Sequence, residues 1–408
     1  MQTQLADFIR DTADGEEADR ILRACVHCGF CLATCPTYQI LGDELDSPRG
    51  RIYLMKQMLE GATVTHKTLT HLDRCLTCRN CETTCPSGVQ YGKLIDIGRR
   101  IAEAKVPRPL AQSLKRRALA KFLPQEKLFG GAMKLGRLAR PLLPESLAGK
   151  IPAQPAAPLA SRITPQPRKM LALAGCVQPA LSPQINAAAR EVLDAIGITL
   201  FEAPAAGCCG AVSFHLNFQE QGLAAMRRNI DAWWPHLEAG VEAIVMTASG
   251  CGVTVKEYGH YLKHDPAYAE KAARIAALTK DLSEVLLAEE AALRAWLSQR
   301  APRPGRQVSF HSPCTLQHGQ KITGVVEALL TVAGHTLLPV AEPHLCCGSA
   351  GTYSLLEPAL STQLRDRKLG HLSAPQPEVI ATANIGCLTH LQSGTPTPVR
   401  HWVELLLP

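Results

Sequence analysis

Apolar positions change their rhythm part-way along this chain, and the change separates two kinds of structure. Up to about residue 105 the rhythm is helical. Ser47 is placed to cap, Pro48 suits a first helical position, and Ile52, Leu54, Met55, Met58 and Leu59 follow at helix spacing. A second helical stretch runs from Leu94 to Ala104. From residue 169 onward, short apolar runs ending in or just before a cysteine (Met170 to Ala174, Ile244 to Met246, Val308 to Phe310, Val379 to Ala381) read as strands. After two of them, Ile185 to Ile196 and Val325 to Ala333 carry apolar residues three and four apart, as helices do. Strand, helix, strand in that order predicts a parallel α/β sheet. No run approaches 18 uninterrupted apolar residues, so no membrane-spanning helix is expected.

The second regime is written twice. Its first copy carries Cys176, then Gly207-Cys-Cys-Gly210, then Cys251; its second carries Cys314, then Leu345-Cys-Cys-Gly348, then Cys387. Cys176 to Cys208 is 32 positions, and so is Cys314 to Cys346. Cys209 to Cys251 is 42 and Cys347 to Cys387 is 40, an agreement that chance does not produce. The expected organisation is an α-helical unit over 1–105, a basic helical segment and proline-rich linker over 106–168, and α/β repeats over 169–300 and 301–408. The linker reading rests on five prolines between Pro152 and Pro167.

Composition adds little to this, but charge adds something. A chain of 408 residues with 46% hydrophobic and 19% charged residues is an ordinary globular protein. Its net charge of +7 is unevenly placed: residues 99–150 hold 13 Lys or Arg against Glu103, Glu126 and Glu145. Leucines and phenylalanines interleave with these cations, a composition that suits an anionic membrane surface, an acidic partner or the solvated face of ordinary helices. With no recognition motif, nucleic acid is not expected as a partner.

The decisive chemistry lies in the helical unit. Cys25, Cys28, Cys31 and Cys35-Pro36 form one C-x2-C-x2-C-x3-C-P run, and Cys75, Cys78, Cys81 and Cys85-Pro86 form another. This is the spacing by which two-cluster ferredoxins hold a pair of [4Fe–4S] cubanes. Three closely spaced thiolates wrap one loop around three iron corners, and the fourth, carried off by its proline, reaches the neighbouring cluster. Cys25, Cys28, Cys31 and Cys85 are therefore expected on one cluster, and Cys35, Cys75, Cys78 and Cys81 on the other. Structural zinc is oversupplied by two runs of four, and disulfides suit small secreted domains rather than a long chain without a signal segment. The implied compartment is a reducing cytoplasm.

In the repeats, Cys176, Cys208, Cys209 and Cys251, and likewise Cys314, Cys346, Cys347 and Cys387, are expected at the carboxyl rim of a parallel sheet, where ligands gather. They are candidates for an additional cluster or redox site; the bland alternative is a set of inert buried cysteines. Arg49 and Arg51 read either as counter-charges to the clusters or as a solvated helix start. His27 is expected to tune a cluster or face solvent. His311 and His344 are read as structural residues, and Trp233 and Trp234 as core or interface anchors. There is no nucleotide fingerprint and no acid–base or nucleophile constellation, so no catalytic residue is expected.

With both halves read, the chain resembles over nearly its whole length the family that joins a two-cluster ferredoxin to duplicated cysteine-rich CCG domains. Within it, the chain is similar to the iron–sulfur subunits of glycolate oxidase (glycolate dehydrogenase). The resemblance rests on Arg23-Ala-Cys-Val-His-Cys-Gly-Phe-Cys31, Asp231-Ala-Trp-Trp-Pro235, Thr247-Ala-Ser-Gly-Cys-Gly252 and Leu345-Cys-Cys-Gly-Ser-Ala-Gly-Thr-Tyr353. It implies a non-catalytic electron-transfer subunit. A partner flavin subunit carrying FAD would oxidise glycolate, and D-lactate as well, and electrons would leave to a quinone or another acceptor. It also implies attachment to the inner face of the cytoplasmic membrane through the complex. Related 2-hydroxyacid and glycerol-3-phosphate dehydrogenase subunits, and disulfide- or quinone-reducing subunits acting at a CCG site, are the alternatives. One departure bears on the last: the C-x-x-C that closes a heterodisulfide reductase repeat reads Cys251-Gly-Val-Thr254 and Cys387-Leu-Thr-His390 here. The fifth thiolate is missing from both copies, with His390 as a substitute donor in the second.

Overall fold

A computed structural model describes residues 1–142, 165–300 and 304–407. Most of the proline-rich stretch expected as a linker, residues 151–164, lies outside the described residues.

The N-terminal part is helical. Ser47 caps the helix Pro48–Leu59 by accepting from Gly50 N at 2.9 Å, as its sequence predicts. The helix Tyr91–Lys105 begins three residues ahead of the predicted stretch. These two, the helix Ala13–Ala24 and the helix His66–Asp73 pack Ile21, Leu22, Met55, Leu59, Leu72 and Leu94 into one core.

The remainder holds two four-stranded parallel sheets. The first contains β1 (Arg168–Ala172), β2 (Ile198–Glu202), β3 (Ile244–Met246) and β4 (Thr279–Asp281), in the order β2-β1-β3-β4. The second contains β5 (Gln307–His311), β6 (Thr336–Leu337), β7 (Val379–Thr382) and β8 (Val399–His401), in the order β6-β5-β7-β8. The predicted α-helical ferredoxin-like region and duplicated parallel α/β repeats are therefore both present.

In each sheet the chain winds one way from the first strand and then the other. The switch falls between β1 and β3, and between β5 and β7, where a crevice opens beyond the strand ends. Cys176 and Cys251 follow β1 and β3; Cys314 and Cys387 follow β5 and β7. One apolar core runs through both repeats, joining Val192, Leu193 and Leu286 to Val308, Leu330 and Trp402. At their junction Ser249 N donates to Ala383 O at 3.1 Å, and Gly250 N to Asn384 Oδ1 at 3.2 Å. A smaller apolar cluster ties the helical unit to the second repeat through Leu76, Cys78, Cys314, Cys346, Tyr353 and Leu364. Among the described residues, no helix is long and apolar enough to cross a membrane.

Candidate metal centres

The two N-terminal cysteine loops share one backbone conformation. In the first, His27 and Gly29 flank Cys28 with φ of 56° and 86°; in the second, Thr77 and Arg79 flank Cys78 with φ of 54° and 60°. Left-handed turns on either side of the middle cysteine are what fold three sulfurs toward one centre. Only Gly29 takes that conformation without strain; His27, Thr77 and Arg79 are held there by their surroundings.

Two cavities lie between the loops. The larger, of about 440 Å³, is lined by Cys25, Cys28, Cys31, Cys81 and Cys85. The smaller, of about 300 Å³, is lined by Cys35, Cys75, Cys78 and Cys81. Each loop thus sends its last cysteine across to the other loop's cavity. None of the 16 cysteines is paired in a disulfide, so five sulfur donors line the larger cavity and four the smaller, Cys81 lining both, enough in each to suit an iron–sulfur cubane. Burial raises the Cys25 thiol, takes Cys31 up to about 11, and pushes Cys78 and Cys81 well above the ordinary thiol range. Thiolates there need a compensating positive charge nearby.

Part of that charge is already built in. Arg51 is 1% exposed and points Nη1 at Cys35 Sγ, 4.0 Å away, while Nη2 meets Asp46 Oδ1 at 3.2 Å and Nε donates to His71 O at 2.6 Å. Thr77 N and the Tyr91 hydroxyl donate to Cys75 Sγ at 3.3 and 3.6 Å. Of the two readings of the arginines, burial excludes a solvated helix start for Arg51 and places it where it could serve as a counter-charge, with Asp46 taking part of its charge. Arg49 is bound to Glu44 at 2.8 Å and lines the larger cavity. His27 lines that cavity too, edge-on to Tyr53. The larger cavity opens to the surface beside exposed Cys28, Val26 and Phe30, whereas the smaller one backs onto the second repeat.

In the repeats the structure brings each predicted quartet together. Cys208 neighbours Cys176 and Cys209, and Cys209 neighbours Cys251; interaction with the Cys176 thiol is the largest reason Cys208 falls well below the ordinary thiol range. In the second repeat Cys314 donates to Cys346 Sγ at 3.7 Å, Cys346 meets Cys347, and Cys347 meets Cys387. Cys251 and Cys387 each occupy the third position of a helix, Ser249–Lys256 and Ile385–Gln392. The Cys-Cys-Gly turns need their glycines. Gly210 and Gly348 have φ of 95° and 88°, and a Cβ there would lie 2.7 Å from Gly222 O and 2.6 Å from Ser361 O. Gly348 N then donates to Cys346 Sγ at 3.4 Å.

Histidines divide sharply around the second repeat. His390, the substitute donor weighed from the sequence, is bonded through Nε2 to Ser361 Oγ at 3.1 Å. His344 contributes its carbonyl, which accepts from Asn80 Nδ2 and meets His318 Nε2. His311, read as a satisfied structural residue, is neither satisfied nor distant: it is 1% exposed, and neither ring nitrogen has a hydrogen-bond partner. One of its nitrogens and the sulfurs of Cys347 and Cys387 all lie within 4.8 Å of one another. Burial drives His311 toward the neutral imidazole. Sequence reasoning also passed over Lys368, 2% exposed, which is lowered to about 8 by burial while the neighbouring Cys347 and Cys346 thiols oppose the shift. The signal for His311 was available: it stands three residues before Cys314, where the first repeat has Leu173 before Cys176.

The basic segment splits in two. Arg99, Arg108 and Arg116 turn inward, bonded to Leu72 O, Asp73 and Asp73 respectively. Lys121, Lys127 and Lys134 stay exposed on the helices Leu110–Phe122 and Glu126–Ala139, beside exposed Leu114, Leu128 and Leu135. Trp233 is a core residue against Tyr258, and Trp234 donates to Glu238 at the surface.

Paired thiolate cavities ahead of paired cysteine rims define a class, that of iron–sulfur proteins built from a dicluster domain and duplicated cysteine-rich domains. Residues 21–89 match the 4Fe-4S dicluster domain family, and residues 170–256 and 308–392 match the cysteine-rich domain family. The chain is 56% identical to the glycolate oxidase iron-sulfur subunit of Escherichia coli (strain K12), over all of this chain and 98% of that relative. It is 31% identical to the probable glycolate oxidase iron-sulfur subunit of Bacillus subtilis (strain 168), over 91% of this chain and 88% of the relative. Lactate utilization protein A of Geobacillus kaustophilus is 28% identical over 57% of this chain and 95% of its own length. The chain belongs to the family of glycolate oxidase iron–sulfur subunits.

Proposed function

We propose that this chain is the electron-transfer subunit of a flavin-dependent glycolate dehydrogenase. A partner subunit carrying FAD oxidises glycolate and D-lactate, and electrons pass through this chain to a quinone or another acceptor. The observation that carries the reading is the pair of cavities, lined by five and four free cysteines with Cys81 lining both, and with Cys35 and Cys85 exchanged between loops. Cys25, Cys28, Cys31 and Cys85 would hold one [4Fe–4S] cluster, and Cys35, Cys75, Cys78 and Cys81 the other. Bound there, such clusters take up and release electrons singly.

The protein's own residues supply the rest. Val26 and Phe30 leave the first cavity within reach of a docked partner, while Cys78 adjoins Cys314 and Cys346 of the second repeat. That adjacency favours a further metal centre in the repeats, at Cys176, Cys208, Cys209 and Cys251 or at Cys314, Cys346, Cys347 and Cys387. The exposed apolar and basic positions of residues 110–139 suit an anionic membrane surface, where a quinone resides.

The test uses the full chain assembled with its flavin subunit. Cys28→Ala or Cys78→Ala should abolish glycolate-dependent reduction of a distal acceptor dye while glycolate still bleaches the flavin. Loss of flavin bleaching in an assembled complex would instead place this chain in the oxidation step itself.

A further inference from the structure

We propose that His311 is a metal ligand, binding one divalent ion of iron or zinc in the second repeat together with Cys347 and Cys387. This rests on the reading that the repeats hold a metal, and goes beyond it in naming a nitrogen donor and a single-ion geometry.

The first support is an imbalance. A neutral imidazole presents one donor and one acceptor, and buried polar atoms are rarely left unpaired. His401, equally buried, reaches Thr247 O at 2.8 Å through Nε2, and His318 is bonded through both nitrogens, to Thr83 and His344. His311 has nothing on either side. Its ring nonetheless lies against two thiols.

The second support is spacing. Around a tetrahedral ion with metal–sulfur bonds of about 2.3 Å and a metal–nitrogen bond of about 2.0 Å, neighbouring donors stand roughly 3.5–4 Å apart. Donor atoms of His311, Cys347 and Cys387 lying within 4.8 Å of one another need only a small inward adjustment to close on one ion. One imidazole with thiolates is a donor set that suits iron and zinc. Cys346, in contact with both Cys314 and Cys347, is a candidate for a fourth position. Binding would send the thiol protons to solvent. The Lys368 ammonium close by would offset the negative charge the thiolates retain.

The third support is asymmetry between the copies. Three residues before its first cysteine, the first repeat carries buried Leu173 in place of His311. A leucine therefore suits this strand end, and the nitrogen donor belongs to the second repeat alone.

The full-length chain, purified without oxygen, would be assayed for iron, zinc and acid-labile sulfide as wild type, His311→Leu and His311→Cys. Wild type should carry metal beyond the roughly eight irons of two cubanes. His311→Leu should lose at least one equivalent of that surplus while keeping those eight irons, which report that the chain has folded. His311→Cys should retain the surplus, and X-ray absorption at that metal's edge should show a nitrogen neighbour in wild type but not in His311→Cys. The proposal is overturned if His311→Leu keeps every equivalent, or if the wild-type absorption shows sulfur ligands only. A wild type with no metal beyond the eight irons overturns the reading beneath it as well.

Discussion

At the residue scale, the repeats depend on buried polar groups whose protonation the fold dictates. His401 is fully enclosed at the end of β8, and burial brings it from the ordinary 6.5 down to about 4, although its bond to Thr247 O opposes the shift. The folded chain then binds fewer protons here than the unfolded chain does. This contribution to stability is complete above pH 6.5 and is lost as pH falls toward 4. Between pH 7 and pH 5 the loss should be about 2 kcal/mol, at 1.36 kcal/mol per unit below 6.5. Denaturant titrations of wild type and His401→Gln at both pH values check this: glutamine keeps a donor for Thr247 O but does not titrate, so its profile should be flatter. A variant as pH-sensitive as wild type would show that His401 is not the group responsible.

At the element scale, the Cys-Cys-Gly turns are the least forgiving pieces of the fold. Gly348→Ala would place a methyl against Ser361 O in a backbone region that alanine avoids, and Gly210→Ala would do the same against Gly222 O. Each should lower stability by about 1–3 kcal/mol, measurable as a shift in thermal midpoint, whereas Gly131→Ala, which meets nothing, should not. The sequence made these turns conspicuous because glycine follows two cysteines at a matched spacing in both copies. It announced the central strands equally well, since β1, β3, β5 and β7 are buried on both faces and spell apolar runs. The flanking strands were harder to see: Thr199, Glu202, Lys280, Thr336 and Arg400 interrupt β2, β4, β6 and β8 with edge polarity. His311 was legible by position but not by role, because an unpartnered ring can be recognised only once its neighbours are in place. The left-handed conformations of Thr77 and Arg79 likewise come from the fold around them, since neither residue type advertises such a backbone.

At the scale of the whole molecule, the helical unit is fastened to both repeats. Arg79 grips Glu257 of the first repeat with a two-pronged pair, Nη2 to Oε2 at 2.7 Å, and both side chains are largely enclosed. Asn80 and Thr83 hold the second repeat through His344 O and His318 Nδ1. Removing one member of the enclosed pair leaves the other charge stranded. Glu257→Leu should therefore cost about 3–5 kcal/mol and speed proteolysis between the units, and the double variant Arg79→Leu/Glu257→Leu should recover much of it. If the double variant is no more stable than Glu257→Leu, the pair is not what joins these parts. Nothing in the local sequence marks Arg79 and Glu257 as partners, because 178 positions separate them.

Were the two cavities filled as proposed, two N-terminal loops that each lend a cysteine to the other's cavity could not mature one at a time. Cys85 must arrive from the second loop before the first cage closes, and Cys35 from the first before the second does, while Cys81, Pro48 and Tyr91 form a wall common to both. Filling either cage fixes part of the frame of its twin, so assembly should proceed as an all-or-none event and half-built molecules should be scarce.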